Sequence, residues 1–341
     1  MKKISAIVTN YNGLELGLLK DFFDSFLKND FKDFEIFFVD NASTDESVKF
    51  VRENFTQDSR VKIIQNPINN MTQGINLALK QAKSHYILFL NNDIYFAKGA
   101  IQRMVHFMDE NQVVGLVQGK LVSFYDHKMI DDAGETMDLY GNPITLGSKE
   151  KDLGQYEKQR EILSATGAAS LLRFELIKKV GILDPNYGIG YEDLDLSLRL
   201  RLAGYKIIYL PEVLTFHRRG SSVSRSSDEV RLRIKYGFNK NRLSTLIKNY
   251  ETVTLFRALP MVILIYFGTG LVEIFYKKLW KFGLCRFQSI GWMIINLPGL
   301  LKKRKKVQQM RISSDKEAIF PYLAKEHLMS DVKNFLYSKK W

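Results

Sequence analysis

The chain has 341 residues, of which 45% are hydrophobic and 26% charged, an ordinary balance for a folded protein long enough to bury a large core. A single cysteine, Cys285, excludes an internal disulfide and fits a reducing compartment. The net charge of +13 favours anionic partners such as nucleic acid, anionic lipid or phosphorylated substrates, without choosing among them.

After Met1-Lys2-Lys3, the apolar run Ile4 to Val8 is too short for a signal peptide. Ile4 to Thr9 reads instead as a buried strand. Leu16 to Leu27 has helical apolar spacing, and Phe34 to Val39 is the next strand, ending at Asp40. A helix over Glu46 to Phe55 follows, with Ser43 or Thr44 placed to cap it. Val61 to Gln65 is a third strand, Thr72 to Lys83 a helix, and Tyr86 to Leu90 a fourth strand. Near-continuous apolar strands alternating with helices predict an α/β fold with a mostly parallel sheet covered on both faces.

From about Leu121 to Glu161 the periodicity weakens, and the segment reads as loops and short strands lying over a site. Order returns over Ile162 to Phe174, followed by a short helix from Glu175. Glu192 to Ala203 reads as a helix with Leu194, Leu198 and Leu202 on one face, stopped by Gly204. Ile207 to Leu210 is a further strand.

The composition changes after about Arg225, so residues 1–227 are read as one domain and 228–341 as a helical C-terminal region. Leu232 to Lys248 is a basic helix. Leu255 to Phe275 is apolar but interrupted, and its clean run, Met261 to Val272, falls short of the roughly 20 apolar residues of a spanning helix. Trp280 and Trp292 mix with Lys277, Lys278 and Lys281, and Lys302 to Lys306 form a basic cluster. Such a mixture suits the plane of an anionic membrane surface. The alternative is a helical cap, or a contact between copies of the chain.

In an open parallel sheet, ligands bind at the carboxyl ends of the strands. Thr9-Asn10-Tyr11-Asn12, Asp40-Asn41 and Asn91-Asn92-Asp93 all follow strands and should converge on one crevice. Taken singly, each could be a polar turn, since Asn and Asp favour turns. Glu192 and Asp193 open a helix, where its dipole favours acids in any case. Arg199 lies about a turn from Asp195, a spacing that predicts a structural ion pair.

Together these segments resemble the inverting, GT-A-fold glycosyltransferases of family 2, over roughly Met1 to Arg225. The resemblance implies that Thr9, Asn10 and Tyr11, at the end of the first strand, contact a nucleotide base. It implies that Asp40 accepts hydrogen bonds from base or ribose, and that Gly74 and Asn92 also belong to the donor-nucleotide site. Leu90-Asn91-Asn92-Asp93 resembles the family's metal-binding motif, with Asp93 the carboxylate on the ion. Leu214-Thr215-Phe216-His217 resembles the segment that returns a histidine to the metal. Ala165 to Ala169 and Tyr191-Glu192-Asp193 resemble the acceptor-side wall and the catalytic base, Asp193, with Glu192 orienting acceptor or base.

Asp40-Asn41 and Ile130-Asp131-Asp132-Ala133-Gly134 look most like bacterial rhamnosyltransferases of surface-polysaccharide assembly. Their usual glycine-rich stretch is reduced here to Asn69-Asn70-Met71-Thr72-Gln73-Gly74. The implied partners are a nucleotide-diphosphate sugar, a glycan or lipid-linked acceptor, and a divalent cation. Oxygen ligands suit magnesium or manganese, and a histidine favours manganese. Arg218 and Arg219 could hold phosphate. The implied location is cytoplasmic, on the inner face of the plasma membrane.

Three other classes compete. A nucleotide-binding oxidoreductase would need a glycine-rich turn after the first strand, which Asn10 to Glu15 does not supply. A nucleic-acid-binding protein is suggested by charge alone; the basic residues concentrate near apolar C-terminal segments, so no nucleic acid is expected. Intact Asp93, Asp193 and His217 argue against an inactive transferase kept as a scaffold.

Overall fold

The computed structural model of the chain describes residues 1–218 and 227–324. Strands Ile4–Asn10 (β1), Phe34–Asn41 (β2), Val61–Asn66 (β3) and Tyr86–Asn91 (β4) alternate with helices Leu19–Leu27 (α1), Ser47–Phe55 (α2) and Met71–Gln81 (α3). The four strands pair in parallel in the order β3-β2-β1-β4. In-register pairing sets Asn10 beside Asp40 and Thr9 beside Asn91, so the polar strand ends share one sheet edge. Alternation along β2 feeds both layers: Phe34, Ile36 and Phe38 enter one core, Phe37 and Val39 the other.

The chain continues through Ile94–Phe96 (β5), Ala100–Glu110 (α4), Val114–Ser123 (β6) and Ile130–Asp132 (β7). Glu135–Met137 (β8) and Pro143–Thr145 (β9) pair with each other, and Arg160–Glu161 (β10) follows. Ala169–Arg173 (β11) inserts antiparallel between β4 and β6. After Ile177–Val180 (α5) and Glu192–Leu202 (α6), Lys206–His217 (β12) runs parallel to β6. The strand expected at Ile207 to Leu210 therefore continues to His217, past a register shift between Leu210 and Leu214. The cap expected for α2 is not made. Glu46 precedes the helix without a side-chain cap, while Ser43 and Thr44 bond Asp40 and Asn12 instead.

Beyond the second described boundary come Asp228–Asn249 (α7), Thr252–Leu271 (α8), Trp280–Ile295 (α9), Leu297–Met310 (α10) and Asp315–Ala318 (α11). The leucine stripe of α6 meets them: Leu194, Leu198 and Leu202 share a buried cluster with Leu243, Leu246, Ile247 and Tyr250. The C-terminal helices are thus packed on the helix that carries Glu192 and Asp193. One expectation is corrected here. α8 continues through a π-helical turn to give 25 helical residues, Thr252–Tyr276, long and apolar enough to cross a membrane on length and composition. Pro260 and Arg257, which break the apolar run in sequence, do not break the helix.

Candidate active site

At the donor edge, the strand-end residues bind one another. Asn10 Nδ2 donates to Asp40 Oδ1 at 2.8 Å, and Asn92 Nδ2 donates to Asn10 Oδ1 at 2.7 Å. Asp40 also accepts from Ser43 Oγ (2.5 Å) and from the Ser43 backbone N–H (3.0 Å). Its carboxylate, expected to meet base or ribose, is buried and organises the loop after β2. Tyr11, at the end of β1, is exposed. Gly74 does not reach the crevice. It lies in α3 against β2, where a Cβ would fall 2.4 Å from Asn41 Oδ1 and 2.7 Å from Val39. Its missing side chain permits close helix–sheet approach, which is why a glycine stands there.

Asp93 and His217 come together from β4's end and β12's end. His217 Nε2 lies 3.3 Å from Asp93 Oδ1, and Nδ1 lies 2.7 Å from Asp131 Oδ2. Asp131, not singled out as a site residue from sequence, sits 86 positions from its partner, on β7. Burial disfavours a charged imidazole, but hydrogen bonds to Asp131 and Asp93 and their charges outweigh it, raising the His217 pKa to about 9. Asp93 Oδ1 is buried and accepts no well-formed hydrogen bond. A buried carboxylate oxygen facing an imidazole nitrogen, with the ring fixed by a second carboxylate behind it, fits a divalent cation. Among the described residues no cluster of three or more His, Cys, Asp or Glu surrounds the point. An ion held there would need further ligands from outside the protein. Arg218 is engaged, donating to Tyr125 Oη at 3.1 Å and pairing with Asp21 at 3.2 Å. Arg219 lies outside the described residues.

The third group opens α6. Tyr191 takes a left-handed backbone (φ +74°) just ahead of the helix and is anchored by its hydroxyl on the Gly141 carbonyl at 3.0 Å. Asp193 Oδ1 accepts the Leu194 N–H at 2.8 Å, and Oδ2 accepts the Gly167 N–H at 3.2 Å. Burial pushes its pKa up against these bonds. Glu192 is pushed well up by burial and then by the charge of Asp193, and its Oε2 is buried without a hydrogen-bond partner. Two adjacent buried carboxyls each disfavour ionisation of the other.

Asp195 behaves differently. The expected pair with Arg199 forms at 3.0 Å, but Lys248 (2.9 Å) and Asn249 (2.9 Å) join it. Burial would raise its pKa, yet Lys248 and Arg199 hold it well below the usual carboxylate range. It is a structural anion tying α6 to α7.

A cavity of about 840 Å³ is lined by Thr9, Asp93, Gly167, Glu192, Asp193 and His217, so the proposed metal and base residues share one chamber. Its wall also includes Lys149 and Phe238, neither of which carried a signal in the sequence. Asn10, Asp40 and Asn92 stand behind it as a hydrogen-bonded frame.

Comparison with known proteins gives consistent relatives. The sequence profile described as glycosyl transferase family 2 matches residues 5–181. An uncharacterized glycosyltransferase of Haemophilus influenzae is 28% identical over 189 residues, 52% of this chain and 68% of that one. The Escherichia coli UDP-Glc:alpha-D-GlcNAc-diphosphoundecaprenol beta-1,3-glucosyltransferase WfaP is 33% identical over 114 residues, 33% of this chain and 44% of that one. A poly(ribitol-phosphate) beta-glucosyltransferase of Bacillus spizizenii is 29% identical over 173 residues, 48% of this chain and only 27% of its own length. Among solved structures, GalNAc-T7 with UDP, GalNAc and Mn2+ superimposes with a TM-score of 0.59 at 16% identity, covering 86% of this chain and 57% of that one. Staphylococcus aureus TarS 1-349 with UDP gives 0.51 at 19% identity, covering 90% and 88%. At such identities these last two likenesses are of fold, and the fold they share is GT-A.

Proposed function

The chain belongs to glycosyl transferase family 2, and from that premise we propose an inverting transfer of a sugar from a nucleotide diphosphate to a glycan or lipid-linked acceptor. The setting is cell-surface polysaccharide synthesis, as the activities named for the Bacillus and Escherichia relatives suggest. The observation that carries the reading is the shared chamber: a pair of buried carboxyls on α6, and an Asp93–His217 pair from two other elements, on one cavity. Asp193 takes the acceptor hydroxyl's proton as the acceptor oxygen bonds to the anomeric carbon and the bond to the diphosphate oxygen breaks. Glu192 beside it, whose carboxyl pKa burial pushes well up, orients acceptor or base. A manganese or magnesium ion held by Asp93 and His217 would supply Lewis acidity toward the departing diphosphate. Asp131 keeps His217 oriented for it.

The test is a panel of sugar nucleotides, rhamnose donors included, screened by thermal shift with and without manganese. A donor that binds only the native state raises the melting temperature. A panel in which no nucleotide sugar shifts it, with or without metal, rejects the reading.

We also propose that α8 and α9 lie in the plane of an anionic membrane on its cytoplasmic face. Phe256, Leu264, Phe267, Phe275, Trp280 and Ile295 are exposed along these helices. The opposite side of α8 is committed to protein: Tyr266 donates to the Asn239 carbonyl at 3.1 Å, and buried Glu273 pairs with Lys235 (2.6 Å) and Arg286 (3.0 Å). A helix with one side packed against soluble partners and the other apolar suits an interfacial pose better than a crossing. Flotation of the full chain with anionic and neutral vesicles checks this. Salt-sensitive binding to anionic vesicles is expected; absence from both favours a contact between copies of the chain.

A further inference from the structure

The cavity wall is completed by a residue from outside the family-matched segment. Phe238, on α7, lines the same chamber as Asp193 and is 39% exposed. It packs edge-on against Tyr191, ring centroids 5.7 Å apart at 73°, immediately before Glu192 and Asp193. It also lies over Gly190, where a Cβ would meet the ring at 2.5 Å and where φ is +77°.

One face of α7 is built around the loop that leads into α6. Gly237 approaches the Ile189 carbonyl, a Cβ there falling 3.8 Å away. One turn on, Asn241 Nδ2 donates to the carbonyls of Tyr187 (3.0 Å), Ile189 (3.0 Å) and Gly190 (2.8 Å). A further turn on, Thr245 Oγ1 bonds Tyr187 Oη at 2.7 Å. On the other side, the Thr72 N–H reaches the Gly188 carbonyl at 3.4 Å, bringing the start of α3 to the loop. The helix that carries Phe238 is thus tied to the loop, and its ring rests on Tyr191 and Gly190. Ile189 and Met71 line the cavity beside it. The Asp93–His217 end is polar and suits a diphosphate. The wall carrying Phe238, Ile189 and Met71 is apolar and continues into the carboxyls that would receive the acceptor's proton.

We propose that Phe238 is an acceptor-binding platform that takes the C–H face of a pyranose ring, holding its hydroxyl toward Asp193. This rests on the transferase reading above. A flat aromatic wall recognises a sugar by its apolar face, while the buried carboxyls recognise a hydroxyl at its edge. A flexible polyol has no such face and gains little from the ring.

The experiment is saturation-transfer NMR on the full chain. Each tube holds UDP with magnesium and one probe: methyl β-D-glucopyranoside, methyl N-acetyl-β-D-glucosaminide, methyl α-L-rhamnopyranoside, or ribitol. Wild type and Phe238→Trp should transfer saturation to the ring protons of at least one pyranoside. Phe238→Leu keeps apolar bulk over Gly190 but lacks the ring, and should lose that signal roughly fivefold to tenfold. UDP signals should be equal in all three proteins. Pyranoside signals that are absent in wild type or unchanged in Phe238→Leu, with UDP normal, overturn the platform alone. Loss in Phe238→Leu confined to ribitol overturns it too. No pyranoside signal in wild type, together with no thermal shift from any sugar nucleotide of the panel above, overturns the transferase reading, and the platform with it.

Discussion

Asp193→Asn separates chemistry from binding. The substitution keeps the side chain's shape. It removes one of the two acceptor atoms that now receive the Leu194 N–H at 2.8 Å and the Gly167 N–H at 3.2 Å. The lost hydrogen bond costs about 1 kcal/mol. Removing a buried carboxylate whose pKa burial has raised works in the opposite direction. The melting temperature should therefore move by only a few degrees. Turnover should fall by about 10²–10⁴, the usual contribution of a positioned base, or about 3–5 kcal/mol in the barrier. Donor affinity should hold, because Asp193 is bonded to Gly167 and its own helix, not to Asp93 or His217. The assay pairs initial rates of nucleotide release with calorimetric titration of UDP and manganese. Turnover within threefold of wild type would refute the assignment. The role would then pass to Glu192, since Asp195 is fully buried and held by Lys248 and Arg199. A parallel loss of donor affinity would refute the separation of the two sites.

Other variants probe the remaining parts. Asp93→Ala should weaken manganese-dependent UDP binding at least tenfold in calorimetry with little change in melting temperature, and unchanged affinity removes Asp93 from the metal site. Asp131→Ala, by freeing the His217 ring, should reduce manganese affinity by about 10–100-fold; equal affinity would make Asp131 a mere neighbour. Glu192→Gln bears on stability through pH. The folded pKa of Glu192 is raised by burial and by Asp193, so between the unfolded value, about 4.3, and the raised one the native state holds the extra proton. Wild-type stability must then fall as pH rises through that window. The variant should match wild type near pH 4 and melt higher at pH 8, by roughly 2–4 °C per kcal/mol of relieved burial. A melting difference independent of pH would show that Glu192 is not the titrating group.

The first four strands were legible because each is a continuous apolar run closed by Asn or Asp, and parallel pairing then fixes their ends on one edge. β12 was read only to Leu210 because Pro211 and Glu212 interrupt its pattern; the strand passes them by shifting register against β6. The helix Thr252–Tyr276 was cut short for a similar reason, since Arg257 and Pro260 break a count of apolar residues without breaking the helix. Gly74 illustrates an ambiguity in the residue itself. A glycine near a phosphate and a glycine under a strand give the same letter, and only the 2.4 Å approach to Asn41 decides. Asp131 stood in a recognised segment without a role of its own, and Phe238 had no local signal at all. Their meaning lies in His217 and Tyr191, which the fold brings to them from distant parts of the chain.

The net charge of +13 changes meaning once its partners are known. Within the basic cluster Lys302 to Lys306, Lys303 pairs with Asp184 at 2.6 Å, and Arg304 donates to the Ile247 carbonyl at 2.6 Å. Lys248 bridges Asp184 (3.0 Å) and Asp195 (2.9 Å). The network is redundant: Asp184 is held by both Lys248 and Lys303, and Asp195 by both Lys248 and Arg199. These cations therefore act inward, fixing the loop at Asp184 and helix α6 to the C-terminal helices. Exposed Lys278, Lys281, Lys302, Lys305 and Lys306 remain for headgroups. At about 1 kcal/mol each, they set a ceiling near 5 kcal/mol for that attraction. Apolar contact through Phe256, Phe267 and their neighbours must supply the rest. High salt should accordingly weaken membrane binding without abolishing it. Lys303→Ala should disturb the active-site side of the molecule more than its membrane affinity.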